Sequence, residues 1–157
     1  MTTSDDKELH RKFGVALFNQ TWDLIDKENR TQEEIDRMIH SAHASRFHWE
    51  IAGTPLNIAR GEWQVSHVYA ILNRIDPCLY HAKRCLQITL EYGFQDFDLA
   101  FAYEAMARGY SLASDKVETA KYVELAKDAA IEIKDPDDRK YFLSQLATIH
   151  STSSSTI

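Results

Sequence analysis

Three of the seven histidines in this chain fall in one short run, His40-Ser-Ala-His43-Ala-Ser-Arg-Phe-His48. Histidine is the commonest nitrogen ligand for transition metals and carries protons near neutral pH. Helical geometry restricts what this run can do. His43 and His48 are five residues apart, about 140° around a helix, and do not readily chelate one ion together. His40 and His43 are three apart and face together, with Asp36 one turn earlier. No His-Glu-x-x-His occurs, and Glu62 to His67 is a five-residue step rather than the Glu-x-x-His of di-iron bundles. A metal site is therefore the alternative reading. It would be a composite of several helices, drawn from His43, His48, Glu62 and His81 with Glu104 nearby. The favoured reading has no metal and no cofactor.

Glu62 sits at the edge of an apolar helix face, near Ser66 and Tyr69. A carboxylate in that place is either paired or raised in pKa. A structural ion pair to a neighbouring helix is one reading, and a general acid or base is the other. No nucleophile, phosphate loop or second catalytic motif stands beside it, which favours a non-enzymatic protein.

The elements that position these residues are helices. Only five Gly and three Pro interrupt the chain, so turn signals are few and many short strands are not expected. Seven helices follow from periodicity and caps. The first is expected over 6–27, with Phe13, Ala16, Leu17 and Trp22 on its packed side. Thr31-Gln-Glu-Glu34 is a capping box opening the second, which carries Ile35, Met38, Ile39, Ala42 and Trp49 and stops at Gly53. Thr54-Pro55 opens the third and Asp76-Pro77 the fourth, which Gly93 closes. The fifth spans 97–113. Ser114-Asp115 begins the sixth, and Asp135-Pro136 the seventh, which ends near 150. Residues 1–5 and 151–157 read as disordered ends around one domain over 6–150.

Two stretches match at a fixed offset of 41. Val65, Ser66, Tyr69, Leu72, Ala82 and Cys85 align without a gap against Met106, Ala107, Tyr110, Ala113, Val123 and Ala126. A fixed offset across a helix pair means that one supersecondary unit is built twice. In each copy a small residue precedes a tyrosine by three, and small residues follow in the facing helix. This pattern resembles the tetratricopeptide repeat (TPR). The period is longer than that family's ~34, which lengthens each pair by about two helical turns. The resemblance implies an all-α, right-handed stack of antiparallel helix pairs, a TPR-like α-solenoid. Helices one and two would be a degenerate third copy. The last helix, with Tyr141, Phe142, Leu143, Leu146 and Ile149, would cover the end of the stack.

In such stacks the first helix of each pair lines a concave surface. The resemblance therefore implies a groove containing Asn57, Arg60, Trp63 and His67 from helix three, and Asp98, Phe101, Glu104 and Arg108 from helix five. Arg60, Trp63, His67 and Arg74 share one face of helix three, opposite Ile58, Val65, Tyr69 and Leu72. Aromatic area, guanidinium groups and mixed donors make this a surface for a polar ligand. Arginine suits carboxylate or phosphate recognition. The structural alternative for Arg60, Glu104 and Arg108 is ion pairing between helices, Glu104 and Arg108 being spaced i, i+4.

Composition trims the functions. A formal charge of −6 disfavours nucleic-acid binding. The start is polar and no run approaches the ~20 apolar residues of a membrane span, so the expectation is a cytoplasmic protein. Cys78 and Cys85 lie seven apart in one helix, roughly 10 Å, too far for a disulfide. The reading is a binding or scaffold protein holding a peptide, a protein tail or a small anionic ligand. A metal protein or enzyme and a self-associating homodimer are the alternatives.

Overall fold

The computed structural model describes residues 3–153. Residues 1–2 and 154–157, assigned above to the ends, lie outside the described residues. Seven helices fill the described chain, with no strand among the described residues. They are α1 (Ser4–Ile25), α2 (Gln32–Ala52), α3 (Pro55–Ile71), α4 (Ile75–Glu91), α5 (Asp96–Leu112), α6 (Lys116–Ile131) and α7 (Pro136–Ser153).

Local chemistry explains most boundaries. Thr31 and Glu34 close the capping box before α2, and Thr3 with Asp6 forms a second one before α1. That box starts α1 at Ser4, two residues ahead of the expected start. Gly53 ends α2, and Pro55 opens α3 at its first position. Asp115 Oδ1 accepts from the backbone N–H of Glu118 at 3.1 Å, and Asp135 Oδ1 accepts from Asp137 and Asp138 before α7. α4 begins at Ile75, so Pro77 lies within its first turn. There the missing N–H is tolerated, because the first turn's N–H groups have no partner inside the helix.

The offset of 41 is a repeat of geometry as well as of residue type. Both bounds of α5 are those of α3 shifted by 41, and α6 starts 41 after α4. The connecting turns match bond for bond. Arg74 N–H donates to Tyr69 O at 2.9 Å, and Asp115 N–H to Tyr110 O at 3.0 Å. Leu72 N–H to Val68 O and Ala113 N–H to Gly109 O are both 3.1 Å. Asn73 and Ser114 hold φ of 56° and 58° at equivalent places, the left-handed residue of a Schellman ending.

α3 and α4 run antiparallel: Ser66 Oγ donates to Cys78 O at 2.9 Å, and one turn earlier Glu62 meets His81. Sequence neighbours pack together throughout. α1 also touches α3, α3 touches α5, and α5 touches α7. Among the described residues α2, α4 and α6 touch only the helices next to them in sequence. One buried cluster joins α5, α6 and α7 around Phe101, Val123, Ile133 and Phe142. Another joins α1, α2 and α3 around Leu24, Met38, Val65 and Val68.

Two packing expectations are corrected. Phe13 is 46% exposed and Ala16 is exposed; α1 instead buries Gly14, Thr21 and Leu24. The α1–α2 seam is a close contact of small polar groups. Ser45 Oγ donates to Gly14 O at 2.7 Å, Thr21 and Ser41 hydroxyls pair at 2.8 Å, and a Cβ on Gly14 would stand 2.9 Å from the Trp49 ring. In α7, Phe142, Leu146 and Ile149 are buried, but Tyr141 and Leu143 are largely exposed. Among the described residues α7 meets only α5 and α6, so one stripe suffices.

Candidate binding groove

Seven of the eight groove residues are engaged along α3 and α5, five in one connected run and Arg60 with Asp98 as a separate pair. Arg60 grips Asp98 with two bonds, Nε to Oδ1 at 2.8 Å and Nη2 to Oδ2 at 3.0 Å. Trp63 Nε1 donates to Glu104 Oε2 at 3.1 Å. Its ring stacks on His67 (centroids 4.8 Å apart) and meets the edge of Phe101 at 5.5 Å. Arg108 Nε donates to Glu104 Oε1 at 2.6 Å, and its Nη2 reaches Thr148 Oγ1 and Gln145 O on α7. Asn57 stands apart from this run: its Oδ1 accepts from the Thr54 N–H at 3.0 Å and closes the start of α3. Trp63 and Glu104 occupy equivalent positions of the two copies and are each other's partners, so the groove positions join adjacent copies.

This bonding changes the electrostatics expected of the groove. Arg60 is neutralised by Asp98, and Arg108 by Glu104, which is 1% exposed. Neither guanidinium is left over to attract an anion.

A cavity of about 450 Å³ opens between α1, α3, α5 and α7. Six aromatic rings line it: Phe18 and Trp22 from α1, Trp63 from α3, Phe97 and Phe101 from α5, and Tyr141 from α7. Arg60, Asp98 and Asp138 supply its charges. Trp22 stacks on Trp63 at 5.8 Å, which ties α1 into the wall. Phe18, Tyr141 and Asp138 were not singled out for this site from the sequence. The signal for Tyr141 was present, since it stands 41 after Ala100, itself 41 after Ala59, another lining residue.

The metal alternative divides. Glu62 is 4% exposed; Arg46 Nε donates to its Oε1 at 2.9 Å and His81 Nδ1 to its Oε2 at 2.5 Å. Burial opposes its ionisation, but the bonds from His81 and then Arg46 prevail and hold its carboxyl below the usual range. His43 lies edge-on to His81 at 5.3 Å and pairs with the Tyr69 hydroxyl at 2.8 Å. His48 is elsewhere, sharing a 2.8 Å hydrogen bond with His10 of α1. Both oxygens of Glu62 are thus engaged, one by a guanidinium. No group of three or more His, Cys, Asp or Glu that could hold a metal occurs among the described residues. Arg46 was not foreseen as the partner, since nothing local pairs it with a residue sixteen away.

The cysteines offer no thiolate. Both are free and buried, and burial pushes the Cys85 thiol up to about 12 and Cys78 in the same direction.

His67 gives a pH prediction. Burial, opposed by Glu104 and aided by Arg108, lowers it from 6.5 to about 4. A histidine held neutral in the fold binds its proton more readily when unfolded. Its contribution is present above about 6.5 and is lost as pH falls towards 4, by up to about 3 kcal/mol. Urea unfolding at pH 7.5, 5.5 and 4 should show that loss, and His67→Phe should shrink it. An unchanged pH dependence in the variant would remove His67 from the acid response.

The fold and this cavity define an all-α protein whose odd-numbered helices, with Cys85 and Thr89 of α4, wall an aromatic pocket. Comparison with protein-family models, with curated proteins and with solved structures returned no match.

Proposed function

We propose that this is a non-enzymatic binding protein, built as a right-handed, TPR-like stack of antiparallel helix pairs, whose groove holds a peptide or protein tail. The observation carrying this reading is the aromatic cavity between α1, α3, α5 and α7. Its volume lies within the few-hundred-Å³ range of ligand sites, and rigid aromatic walls are characteristic of binding anchors. The repeated turn geometry and the row of contacts from α1 through α7 support the stack. A peptide is favoured over a small anion because both groove arginines are already paired. Unpaired Cys78 and Cys85 fit a reducing compartment, the cytoplasm. No helix is long and apolar enough to cross a membrane among the described residues.

Trp22 and Trp63 report on the cavity directly. Peptides selected by display against the wild-type protein should change tryptophan fluorescence on binding. They should bind Trp22→Ala and Tyr141→Ala at least about tenfold more weakly, the cost expected for an aromatic anchor. Tyr80→Ala, an exposed ring outside the cavity, is the control. Peptides that bind all three variants as well as wild type would place recognition elsewhere and end this reading.

A further inference from the structure

The cavity's chemistry narrows the side chain that it takes. Aromatic faces carry negative potential and attract organic cations. Here the rings lie at several inclinations: Phe18 and Trp22 at 73°, Trp22 and Trp63 at 26°, Trp63 and Phe101 at 86°. These rings come from α1, α3, α5 and α7 and line one space. Arg60 against Asp98 and Asp138 leaves one carboxylate in excess among the lining charges. Asp98 is taken by Arg60, whereas the Asp138 carboxylate has no hydrogen-bond or ion-pair partner among the described residues.

The neutral donors of the same wall include the Trp22 and Trp63 indole N–H groups, the Tyr141 phenol and the Thr89 hydroxyl, and Trp63 gives its own to Glu104. The Thr89 hydroxyl, one lining donor, is already spent on Cys85 O at 2.8 Å. A bare lysine ammonium is strongly hydrated and would exchange its water for rings that accept few hydrogen bonds. Methylation removes those donors, spreads the charge and adds apolar surface, which matches an aromatic wall carrying one unpartnered carboxylate.

We propose that the groove binds a peptide by enclosing a trimethylated lysine, its ammonium against Trp22, Trp63 and Tyr141 and its charge balanced by Asp138. This rests on the peptide-groove reading above and specifies its ligand.

The test uses the full chain and three peptides of the form Gly-Ala-X-Ala-Gly, read by tryptophan fluorescence and calorimetry. X is trimethyl-lysine, its neutral tert-butyl carbon isostere, or glutamate. The trimethyl-lysine peptide should bind at least about tenfold more tightly than the isostere, in line with a desolvated cation–π contact. Tetramethylammonium should compete with it. Asp138→Asn, at an exposed position, should weaken it several-fold without changing the isostere. Equal affinity for cation and isostere overturns the ammonium proposal and leaves the groove reading standing, as does tightest binding of the glutamate peptide. If none of the three binds while display-selected peptides do, the proposal falls and the groove remains. If those also ignore the cavity variants, both readings fall.

Discussion

Replacing Arg108 with alanine should destabilise the protein by about 3 kcal/mol, the low end of the cost of leaving a buried charge unpaired. Glu104 is among the most deeply buried charged groups described, 1% exposed in the middle of α5. Its carboxylate has two partners, the Arg108 guanidinium at 2.6 Å and the Trp63 indole N–H at 3.1 Å. Removing Arg108 leaves one neutral donor to offset a full charge out of water. It also cuts the bonds from Nη2 to Gln145 O and Thr148, which tie α5 to α7. Removing the charge as well reverses the argument. A buried pair replaced by apolar groups of similar volume is often neutral in stability. Glu104→Leu combined with Arg108→Met should therefore recover most of the loss, less what Trp63 forfeits by losing its acceptor. Urea denaturation of the single and double variants measures this. A single variant within about 0.5 kcal/mol of wild type, the usual scatter of surface changes, would mean that water already screens Glu104.

The same pair shows what the sequence exposed and what it hid. The i, i+4 spacing of Glu104 and Arg108 offers a salt bridge from the sequence alone. Caps at Thr31, Pro55 and Asp115 were legible for the same reason, since each acts within three residues. The repeat was legible because packing positions recur in kind. Ion pairing between helices was the alternative read for Arg60, but its partner Asp98, 38 residues away, was not legible, since an exposed arginine looks the same whichever carboxylate waits on the next helix. The packed side of α1 was misread for a different reason. Its seam uses Gly14, Thr21 and Ser45, and hydrophobic periodicity carries no signal for a contact made of small polar residues. The cavity needed α1 and α7 together, and only α7 shares the 41-residue register.

Phe142→Ala should cost about 3–5 kcal/mol, as expected for a fully buried aromatic truncated to alanine. Phe142 is 0% exposed and is one of the largest side chains buried in the protein. Its ring stands edge-to-face on Phe101 at 4.8 Å and 89°, within the cluster of Val123, Ile133, Leu146 and Ile149. α7 touches nothing but α5 and α6 among the described residues, so this ring is its main anchor. The loss should therefore be spatially uneven. In a stack, where each unit packs on its neighbours alone, damage at one end need not propagate. Hydrogen exchange in Phe142→Ala should accelerate first in α7 and next in α5 and α6. Amides around Leu24, Met38 and Val65, in the separate cluster of α1 to α3, should stay protected to a higher denaturant concentration. Uniform acceleration from α1 to α7 would show a single cooperative unit and count against the stacked-repeat reading. The same variant bears on the groove, because Tyr141 and Asp138 reach the cavity from α7. A groove that depends on α7 should lose ligand under conditions where α1 to α3 remain folded, so fluorescence binding and exchange measured on one sample link the packing of Phe142 to recognition.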